Sequence, residues 1–286
     1  MIDTNKMQHR LNFKIIRQDI KRAIDEDVGA GDITGALIPE DKLVQATICL
    51  REPALICGQP WVNETFACID STIQISWEVQ EGEWIGDAKT ICRLQGRARS
   101  ILTAERTVLN FLQTLSGTAT ETYKYVQMLE GYKTKLLDTR KTLPGLRYAQ
   151  KYAVAIAGGT NHRHGLYDAY LIKENHIKAC GGINNAIAAA QQTHKDALIE
   201  VEVETLEELS LALDASPDRI MLDNFSMEQL AKAVEMCAGF SSTLEASGGV
   251  SLDTLQAIAT TGVDYISVGA ITKSVKAVDL SLLLVE

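Results

Sequence analysis

The sequence predicts an α/β protein in two parts, a small amino-terminal α+β unit followed by a parallel sheet or barrel. Three β-rich segments punctuated by glycines come first, and from residue 133 onward strand-like and helix-like segments alternate. Each of the later strands also ends in a polar residue or a glycine. Alternation implies right-handed crossovers and parallel strands, and a ring of polar strand ends favours a barrel mouth over a flat sheet.

Composition and charge limit the classes of protein to which the chain can belong. The 286 residues are 46% hydrophobic and 23% charged, with a formal net charge of −9, as in many globular proteins. No apolar run has bilayer-spanning length and the amino terminus has no apolar signal core, so we expect a cytoplasmic protein without membrane contact. The six cysteines are far apart without a Cys-x-x-Cys pair, which argues against disulfides and zinc.

Apolar spacing and glycines predict the elements of the amino-terminal part. Asn12 is expected to cap a helix that ends in the acidic, glycine-containing loop 25–34, with apolar positions at Ile15, Ile16, Ile20, Ala23 and Ile24. The β-rich segments 45–57, 73–79 and 89–94 then predict an antiparallel sheet.

Two helices are predicted next, at 100–115 and 118–130, with Ser116-Gly117 as the break between them. Arg106 stands about 40° from Leu102 at ~100° per residue, on the flank of the first helix's apolar stripe. An arginine in that position is usually solvated, so spacing alone does not point to a ligand.

The carboxyl-terminal part alternates six strands with helices. Strands are predicted at 133–138, 169–173, 197–203, 219–223, 243–246 and 265–268, and helices at 144–157, 182–194, 205–214, 226–238 and 251–261. No Gly-x-Gly-x-x-Gly follows the first strand, which counts against a dinucleotide-binding sheet. The mostly apolar tail, 279–286, is expected to pack back on the amino-terminal unit.

A basic region in this acidic chain indicates an anionic small ligand. Residues 133–178 contain nine Lys or Arg against three acids, a balance of +6, and three of the five histidines lie within 161–176. Nucleic acid would require a broader basic surface. Lys173 ends a predicted strand, and Arg140 and Lys141 follow another, where side chains of parallel α/β proteins meet ligands. Arginine offers a fork for carboxylate and lysine a point charge for phosphate.

Glycine turns and carboxylates complete the pattern of a phosphorylated ligand. Ser247-Gly248-Gly249 and Gly269-Ala270 follow the last two strands, where backbone N–H groups can approach phosphate oxygens. Glu200, Glu202 and Glu204 share one face of a strand, and Asp223 ends the next strand. Carboxylates at adjacent strand ends suit Mg²⁺ or ribose hydroxyls, although Glu204 is better explained by the dipole of the following helix.

Taken together, these motifs resemble the quinolinate phosphoribosyltransferase family of NAD synthesis over nearly the whole chain. The shared segments are EDVGAGDIT (26–34), AERTVLN (104–110), DTRKT (138–142), NHRHGL (161–166), LIKENH (171–176), EVEVET (200–205), LDNF (222–225), EASGGV (245–250) and ISVGAITKS (266–274). The resemblance implies a type II phosphoribosyltransferase with an α/β-sandwich domain at 1–117, on which 275–286 packs, and an open six-stranded α/β barrel at 118–274. It also implies a homodimer with shared active sites and leaves any higher assembly open.

The resemblance further implies roles for individual residues. Quinolinate would be held by Arg106 of the partner subunit with Arg140, His162 and Arg163. Lys141 and Lys173 would lie between quinolinate and 5-phosphoribosyl 1-pyrophosphate, and Glu202 and Asp223 would serve ribose and Mg²⁺. Lys141, Lys173, Glu202 and Asp223 are therefore the expected catalytic residues. The 5′-phosphate would lie against Ser247, Gly248, Gly249, Gly269 and Ala270.

Three other functions fit parts of the pattern. The first is a phosphoribosyltransferase that acts on nicotinate without decarboxylation. Nicotinate has one carboxylate, and the two basic clusters suit a substrate with two carboxylates better. A Schiff-base aldolase barrel would use Lys173 as the nucleophile, and borohydride trapping would reveal it. A module that only binds phosphorylated ligands would bind without turnover.

Overall fold

The computed structural model describes residues 11–285. Contacts divide the chain into two compact units. Unit 1 runs to Tyr123 and adds Leu143–Gly158 and the residues from Thr272 onward, and unit 2 consists of Lys124–Thr142 and Gly159–Ile271. The boundaries of these two compact units differ from the domain boundaries that the sequence predicts at 117 and 274. The predicted domain boundaries stay a prediction.

Unit 1 contains a four-stranded antiparallel sheet. Its strands are β1 (Leu43–Leu50), β3 (Gln74–Trp77), β5 (Lys89–Arg97) and β12 (Leu280–Val285), in the order β12-β1-β5-β3. A separate two-stranded ribbon joins β2 (Ala54–Leu55) to β4 (Trp84–Ile85). Alternate residues of β1 are buried in the core, including Ala46 and Ile48, because successive side chains of a strand face opposite sides. The apolar tail supplies the edge strand β12.

Within residues 11–285, the helices of unit 1 are α1 (Phe13–Asp27), α2 (Gln59–Ile69) and α4 (Arg147–Ile156), besides a short 3₁₀ turn at Gly35–Leu37. Helix α3 (Ala98–Met128) belongs to unit 1 as far as Tyr123, and its last residues are assigned to unit 2. The predicted cap of α1 is confirmed, since the Asn12 side chain accepts a hydrogen bond from the Ile15 N–H. Helix α2 was not predicted. It follows Gly58, has a proline in its first turn and buries Trp61 and Phe66.

The predicted break at Ser116-Gly117 is wrong, because α3 is continuous from Ala98 to Met128. A β-carbon on Gly117 would lie 2.2 Å from the carbonyl oxygen of Lys276, also in unit 1. The glycine therefore permits a close approach of two chain segments, and it does not end the helix. Arg106 is exposed on α3, as its spacing predicts.

Unit 2 contains a parallel sheet of six strands in the order β6-β11-β10-β9-β8-β7, which confirms the six predicted strands. The end strands β6 and β7 do not pair with each other within residues 11–285, as expected of an open barrel. The bounds are β6 (Lys135–Leu137), β7 (Ala169–Ile172), β8 (Leu198–Val203), β9 (Arg219–Asp223), β10 (Thr243–Ser247) and β11 (Tyr265–Ser267).

Helices follow these strands, and their bounds are α5 (Glu174–Cys180), α6 (Ile183–Thr193), α7 (Leu206–Ala215), α8 (Met227–Cys237), α9 (Leu252–Thr260) and α10 (Ala270–Lys273). The sequence did not predict α5 or α10, which are short. Helix 144–157 was predicted to open at Pro144, but α4 begins at Arg147. Across residues 11–285, no helix combines the length and the apolar character needed to cross a membrane.

The alternation of valine and glutamate side chains along β8 explains why the sheet of unit 2 has one apolar face and one polar face. Val201 and Val203 are fully buried on one face, while Glu200 and Glu202 point to the other face. In the parallel register, Glu200 stands beside Arg219 of β9, and Glu202 stands beside Met221. One face of the sheet therefore carries a row of charged groups.

Candidate active site

One cavity of unit 2, about 360 Å³ in volume, contains most of the side chains that the sequence predicts for a substrate site. A cavity of that volume suits a small molecule. Its lining combines cations, carboxylates and hydroxyls from the ends of several strands, as in barrel enzymes. The lining residues are Thr139, Arg140, Lys141, His162, Arg163, Leu171, Lys173, Glu202, Met221, Asp223, Glu245, Ser247 and Ser267.

The buried carboxylate of Asp138 fixes the segment that carries two of the predicted ligands. Asp138 follows β6 directly and accepts hydrogen bonds from the His162 N–H at 2.8 Å and from the Asn161 side-chain amide at 2.7 Å. Leu137 and Thr160 also form a parallel bridge. These contacts hold residues 160–163 alongside the strand that leads to Arg140.

Two arginines lie close together in the cavity lining. Burial lowers the pKa of the Arg163 guanidinium, and the positive charge of Arg140 lowers it further. Nη1 of Arg163 donates to the carbonyl oxygen of Ala169 at 3.2 Å, whereas the buried Nε of Arg163 has no hydrogen-bond partner among residues 11–285. Two guanidinium groups held together against their repulsion are a preorganised receptor for carboxylate oxygens.

Lys173 and Glu202 form an ion pair across β7 and β8. Lys173 follows β7 directly, and its backbone N–H donates to Nδ1 of His176 at 3.0 Å, which fixes the start of α5. Asp223 lies at the end of β9, where its carboxylate accepts a hydrogen bond from the Asn224 amide at 2.8 Å. The predicted catalytic residues Lys141, Lys173, Glu202 and Asp223 thus share one cavity.

The first glycine turn packs closely against the end of β9. A β-carbon on Gly248 would lie 2.1 Å from Oδ1 of Asn224, and the φ of Gly248 is +95°. Both observations require glycine there, since other residues rarely adopt that conformation. Ser247 lines the cavity, whereas Gly248, Gly249, Gly269 and Ala270 do not. Their contact with phosphate stays a prediction.

At the inner side of the cavity lies a buried charged group, here called the floor cluster, made of His162, Glu200, Arg219 and Glu245. His162 and Glu245 line the cavity, whereas Glu200 and Arg219 are not among its lining residues. Nε2 of His162 lies 2.8 Å from Glu200 Oε2 and 3.6 Å from Glu245 Oε2. Nη1 of Arg219 lies 3.4 Å from Glu245 and 3.9 Å from Glu200. The Arg219 guanidinium also stacks 4.0 Å above the ring of Tyr265. The two buried carboxylates of Glu200 and Glu245 thus lie next to the imidazole of His162 and the guanidinium of Arg219.

Two sets of side chains offer metal ligands. One ligand atom each from His162, Glu200 and Glu245 lie within 4.8 Å of one another, a spacing that would fit an ion. The adjacent Arg219 already supplies positive charge to both carboxylates, which disfavours a cation there. Glu202 and Asp223 also line the cavity and offer hard oxygen donors of the kind that Mg²⁺ prefers.

Burial and mutual repulsion change the acidity of the floor cluster. Burial raises the pKa of Glu200 to about 7, an effect opposed by the charge of Arg219. Burial and then the negative charge of Glu200 raise the pKa of Glu245 to about 8, against the effects of His162, Ser267 and Arg219. The folded protein therefore binds protons more tightly at this cluster than the unfolded chain does.

This tighter proton binding predicts that stability falls as the pH rises from about 5 to about 8. In that window the carboxyl of Glu245 ionises in the unfolded chain while the folded protein retains its proton. Glu245→Gln removes the titration, so its melting temperature should fall less between pH 5.5 and 8.5 than that of the wild type. Thermal denaturation checks this, with the exposed Glu204→Gln as the control for loss of one carboxylate. Equal pH slopes in all three proteins would contradict it.

The structure brings together most of the predicted site residues, with informative exceptions. Arg106 is exposed in unit 1 and does not line the cavity. Sequence reasoning gave no role to Glu245, Arg219 or Tyr265, although alternation along β9, β10 and β11 places them on the face that carries Asp223 and Ser247. Because residues two apart on a strand face the same side of the sheet, this alternation is the sequence signal that would have predicted their place in the site.

Comparisons with known proteins agree with this geometry. Residues 32–116 match the family described as "Quinolinate phosphoribosyl transferase, N-terminal domain", and residues 118–283 match its C-terminal domain. A nicotinate-nucleotide pyrophosphorylase (carboxylating) of Mycobacterium leprae is 41% identical over 279 residues, covering 94% of this chain and 97% of that protein. A quinolinate phosphoribosyltransferase (decarboxylating) of Nicotiana tabacum is 40% identical, covering 93% of this chain and 81% of that protein.

A solved structure has the same architecture. The nicotinate-nucleotide pyrophosphorylase of Francisella tularensis superposes with a TM-score of 0.93 at 49% identity, over 96% of this chain and 97% of that one. Sequence and structure therefore agree over both halves of the chain. The protein belongs to the quinolinate phosphoribosyl transferase family.

Proposed function

We propose that the chain transfers the phosphoribosyl group of 5-phosphoribosyl 1-pyrophosphate to quinolinate with decarboxylation, in the cavity of unit 2. The products are nicotinate mononucleotide, pyrophosphate and CO₂, in the synthesis of NAD. Support comes from the names of the relatives, which specify quinolinate and decarboxylation or the equivalent nucleotide pyrophosphorylase activity.

The observation that carries the proposal is the pair of adjacent arginines, Arg140 and Arg163, in the cavity lining. Quinolinate has two neighbouring carboxylates, and two guanidinium groups offer matched forks for them. The unsatisfied Nε of Arg163 gains a partner when a carboxylate binds, and the repulsion between the two arginines is relieved. His162 and the Arg106 of the partner subunit complete the proposed quinolinate set.

The opposite part of the cavity suits the sugar donor. Lys141 and Lys173 supply positive charge toward both substrates, and Glu202 and Asp223 accept hydrogen bonds from ribose hydroxyls. The same two carboxylates would hold Mg²⁺, which when bound neutralises charge on the pyrophosphate. The 5′-phosphate is assigned to Ser247 and to the glycine turns at Gly248-Gly249 and Gly269-Ala270, whose backbone N–H groups can approach it.

Positioning and charge account for most of the proposed catalysis. The C1′–oxygen bond breaks with its electron pair leaving on pyrophosphate, and the lone pair of the pyridine nitrogen forms the new bond to C1′. The resulting pyridinium stabilises the electron pair that remains on C2 when its carboxylate departs as CO₂. A proton then returns to C2 from a lysine or from water. The lysines offset the repulsion between the two anionic substrates throughout.

A direct assay tests the reaction and separates the alternatives. With quinolinate, the sugar donor and Mg²⁺ all present, purified protein should release CO₂ and form nicotinate mononucleotide, and omission of any one should prevent turnover. Nicotinate should be a poor substrate because it leaves one arginine without a carboxylate. Equal turnover of nicotinate would reject the assignment, and binding without turnover would favour a module that only binds its ligands.

Asp223→Asn tests the division of roles within the cavity. The variant keeps the side-chain volume and loses a negative charge, so it should turn over more slowly and depend less steeply on Mg²⁺. Quinolinate binding, measured by calorimetry, should stay nearly unchanged because the arginines are intact. Poor quinolinate binding with normal use of the sugar donor would show that the roles are assigned wrongly.

The proposed assembly is a homodimer with shared active sites, and larger assemblies are left open. The proposal follows from the family resemblance, and the exposure of Arg106 on α3 is compatible with it, since an exposed cation can reach a partner subunit. Neither nucleic acid nor membrane is among the proposed partners, in line with an acidic chain whose basic residues are concentrated in one region. A cytoplasmic location stays a prediction.

A further inference from the structure

The floor cluster connects two buried carboxylates to the arginine that we assign to quinolinate. Glu200 and Glu245 are both fully buried, and His162 is only 7% exposed. The backbone N–H of Arg163 donates to Nδ1 of His162 at 2.8 Å, and Nε2 of the same ring lies 2.8 Å from Glu200. A continuous chain of contacts therefore runs from Glu200 through the imidazole to Arg163.

These contacts determine how the His162 ring can be used. A backbone N–H can only donate, so Nδ1 of His162 must be an acceptor, which leaves the proton of the neutral ring on Nε2. Nε2 lies 2.8 Å from Glu200 Oε2, a close polar contact without the angles of a regular hydrogen bond. The ring is thus hydrogen-bonded at Nδ1 and in close polar contact at Nε2. Rotation of the ring would break both contacts together. Nη1 of Arg219 lies 3.9 Å from the same Glu200 oxygen and 3.4 Å from Glu245, so Glu200 is itself held by a neighbouring positive charge.

We propose that Glu200 is a positioning residue for quinolinate, acting through His162 on the backbone and the guanidinium of Arg163. The inference rests on the proposed function, because it assigns the orientation of a residue in that substrate site. By holding the ring, Glu200 keeps the Arg163 N–H turned toward Nδ1, and the side chain then leaves the backbone toward the cavity. Nη1 of Arg163 donates to the Ala169 carbonyl, and its Nε has no hydrogen-bond partner among residues 11–285, so the orientation of the side chain depends on this support.

Two alternative roles of the floor cluster lead to different expected results. If the buried charges serve only the stability of the barrel, replacing Glu200 should lower the melting temperature without changing the affinity for quinolinate in the folded fraction. If Glu200 instead orients His162 for its own contact with quinolinate, Glu200→Leu should weaken binding even when Arg163 is absent. The positioning role predicts that the losses caused by replacing Glu200 and Arg163 are not additive, because both act at one contact.

The first experiment compares Glu200→Leu with Glu200→Gln, and uses the exposed Glu204→Leu as the control on the same strand end. Glu200→Leu removes the carboxylate beside Nε2, and the KM for quinolinate should rise by roughly tenfold, the equivalent of about 1.4 kcal/mol. The kcat and the KM for the sugar donor should change little. Glu200→Gln retains an oxygen at that place and should recover most of the loss. Leu and Gln variants with equal KM values would overturn the proposal.

The second experiment is a double-mutant cycle on quinolinate binding, measured by calorimetry with the folded state checked by circular dichroism. In the wild-type background, Glu200→Leu should weaken quinolinate binding about tenfold. In an Arg163→Ala background, the same substitution should weaken quinolinate binding by less than about twofold. Glu200→Ala also removes the carboxylate, and it replaces Glu200→Leu if that variant does not fold. Additive losses would overturn the positioning role. A wild-type protein that does not convert quinolinate would instead reject the proposed function.

Discussion

Arg163→Ala should lower kcat/KM for quinolinate by roughly thirtyfold to several-thousandfold, since removing one partner of a desolvated charge pair costs about 2–5 kcal/mol. The guanidinium is partly buried, already repelled by Arg140 and incompletely hydrogen-bonded in the absence of a ligand. Its charge is therefore held at a cost in the free protein, and that cost is recovered when a carboxylate binds. Alanine removes both the charge and the fork, so one quinolinate carboxylate enters the cavity without its partner.

Arg163→Lys separates charge from geometry in the same test. Lysine retains a positive charge but cannot form two parallel hydrogen bonds to one carboxylate. We expect kcat/KM for quinolinate to fall between the wild-type and alanine values, and the KM for the sugar donor to remain within about twofold of wild type in both variants. Steady-state kinetics with each substrate varied in turn provides the measurement. Equal losses for both substrates would indicate a disturbed fold and would contradict a specific role in binding quinolinate.

Much of unit 2 was predictable because its signals are local and periodic. The alternating Glu and Val of β8 identify a strand with a polar face, and the six strands follow from repeated strand–helix alternation. Since parallel strands present their carboxyl ends at one edge, Lys173, Glu202 and Asp223 were expected to meet, and they line one cavity. The role of Arg163 came from a motif, because its orientation depends on a histidine contact that spacing does not reveal.

The elements that were missed depend on tertiary contacts. Gly117 looks like a helix break in sequence, but within unit 1 it lies against the Lys276 carbonyl, 159 positions further along the chain. Helix α2 has no side-chain cap, and instead the N–H groups of Gly58 and Gln59 donate to Glu81, at 2.8 and 3.0 Å. Its start is therefore determined by a buried carboxylate that is distant in sequence, so local capping rules could not find it.

The floor cluster also accounts for how the cavity can attract anions although carboxylates lie beneath it. A buried carboxylate without a partner would be protonated or would repel the substrate. Here Arg219 lies between Glu200 and Glu245, and burial favours their protonated forms. The field from the floor is reduced, and in the rest of the lining the four cations Arg140, Lys141, Arg163 and Lys173 outnumber the carboxylates Glu202 and Asp223.

Arg106 is the residue on which helical spacing and family resemblance disagree. Spacing makes it a surface arginine, whose loss should cost well under ~1 kcal/mol. The resemblance makes it a carboxylate ligand in the partner subunit's cavity, where loss of a buried charge partner costs about 2–5 kcal/mol. Its exposure on α3 fits both interpretations, because an interface residue is exposed in a single chain. Only kinetics on the assembled protein separates them.

Under the proposed assembly, Arg106→Ala should lose at least about tenfold in kcat/KM for quinolinate, the equivalent of ~1.4 kcal/mol, with fold and dimer intact. Mixing it with an inactive Lys173→Ala variant gives the sharper test. Each mixed dimer contains one site with both defects and one with neither, so part of the activity should return. Self-mixtures of each variant are the matched controls, and exchange is verified by native mass spectrometry. If the subunits exchange and no activity returns, Arg106 does not act across the interface.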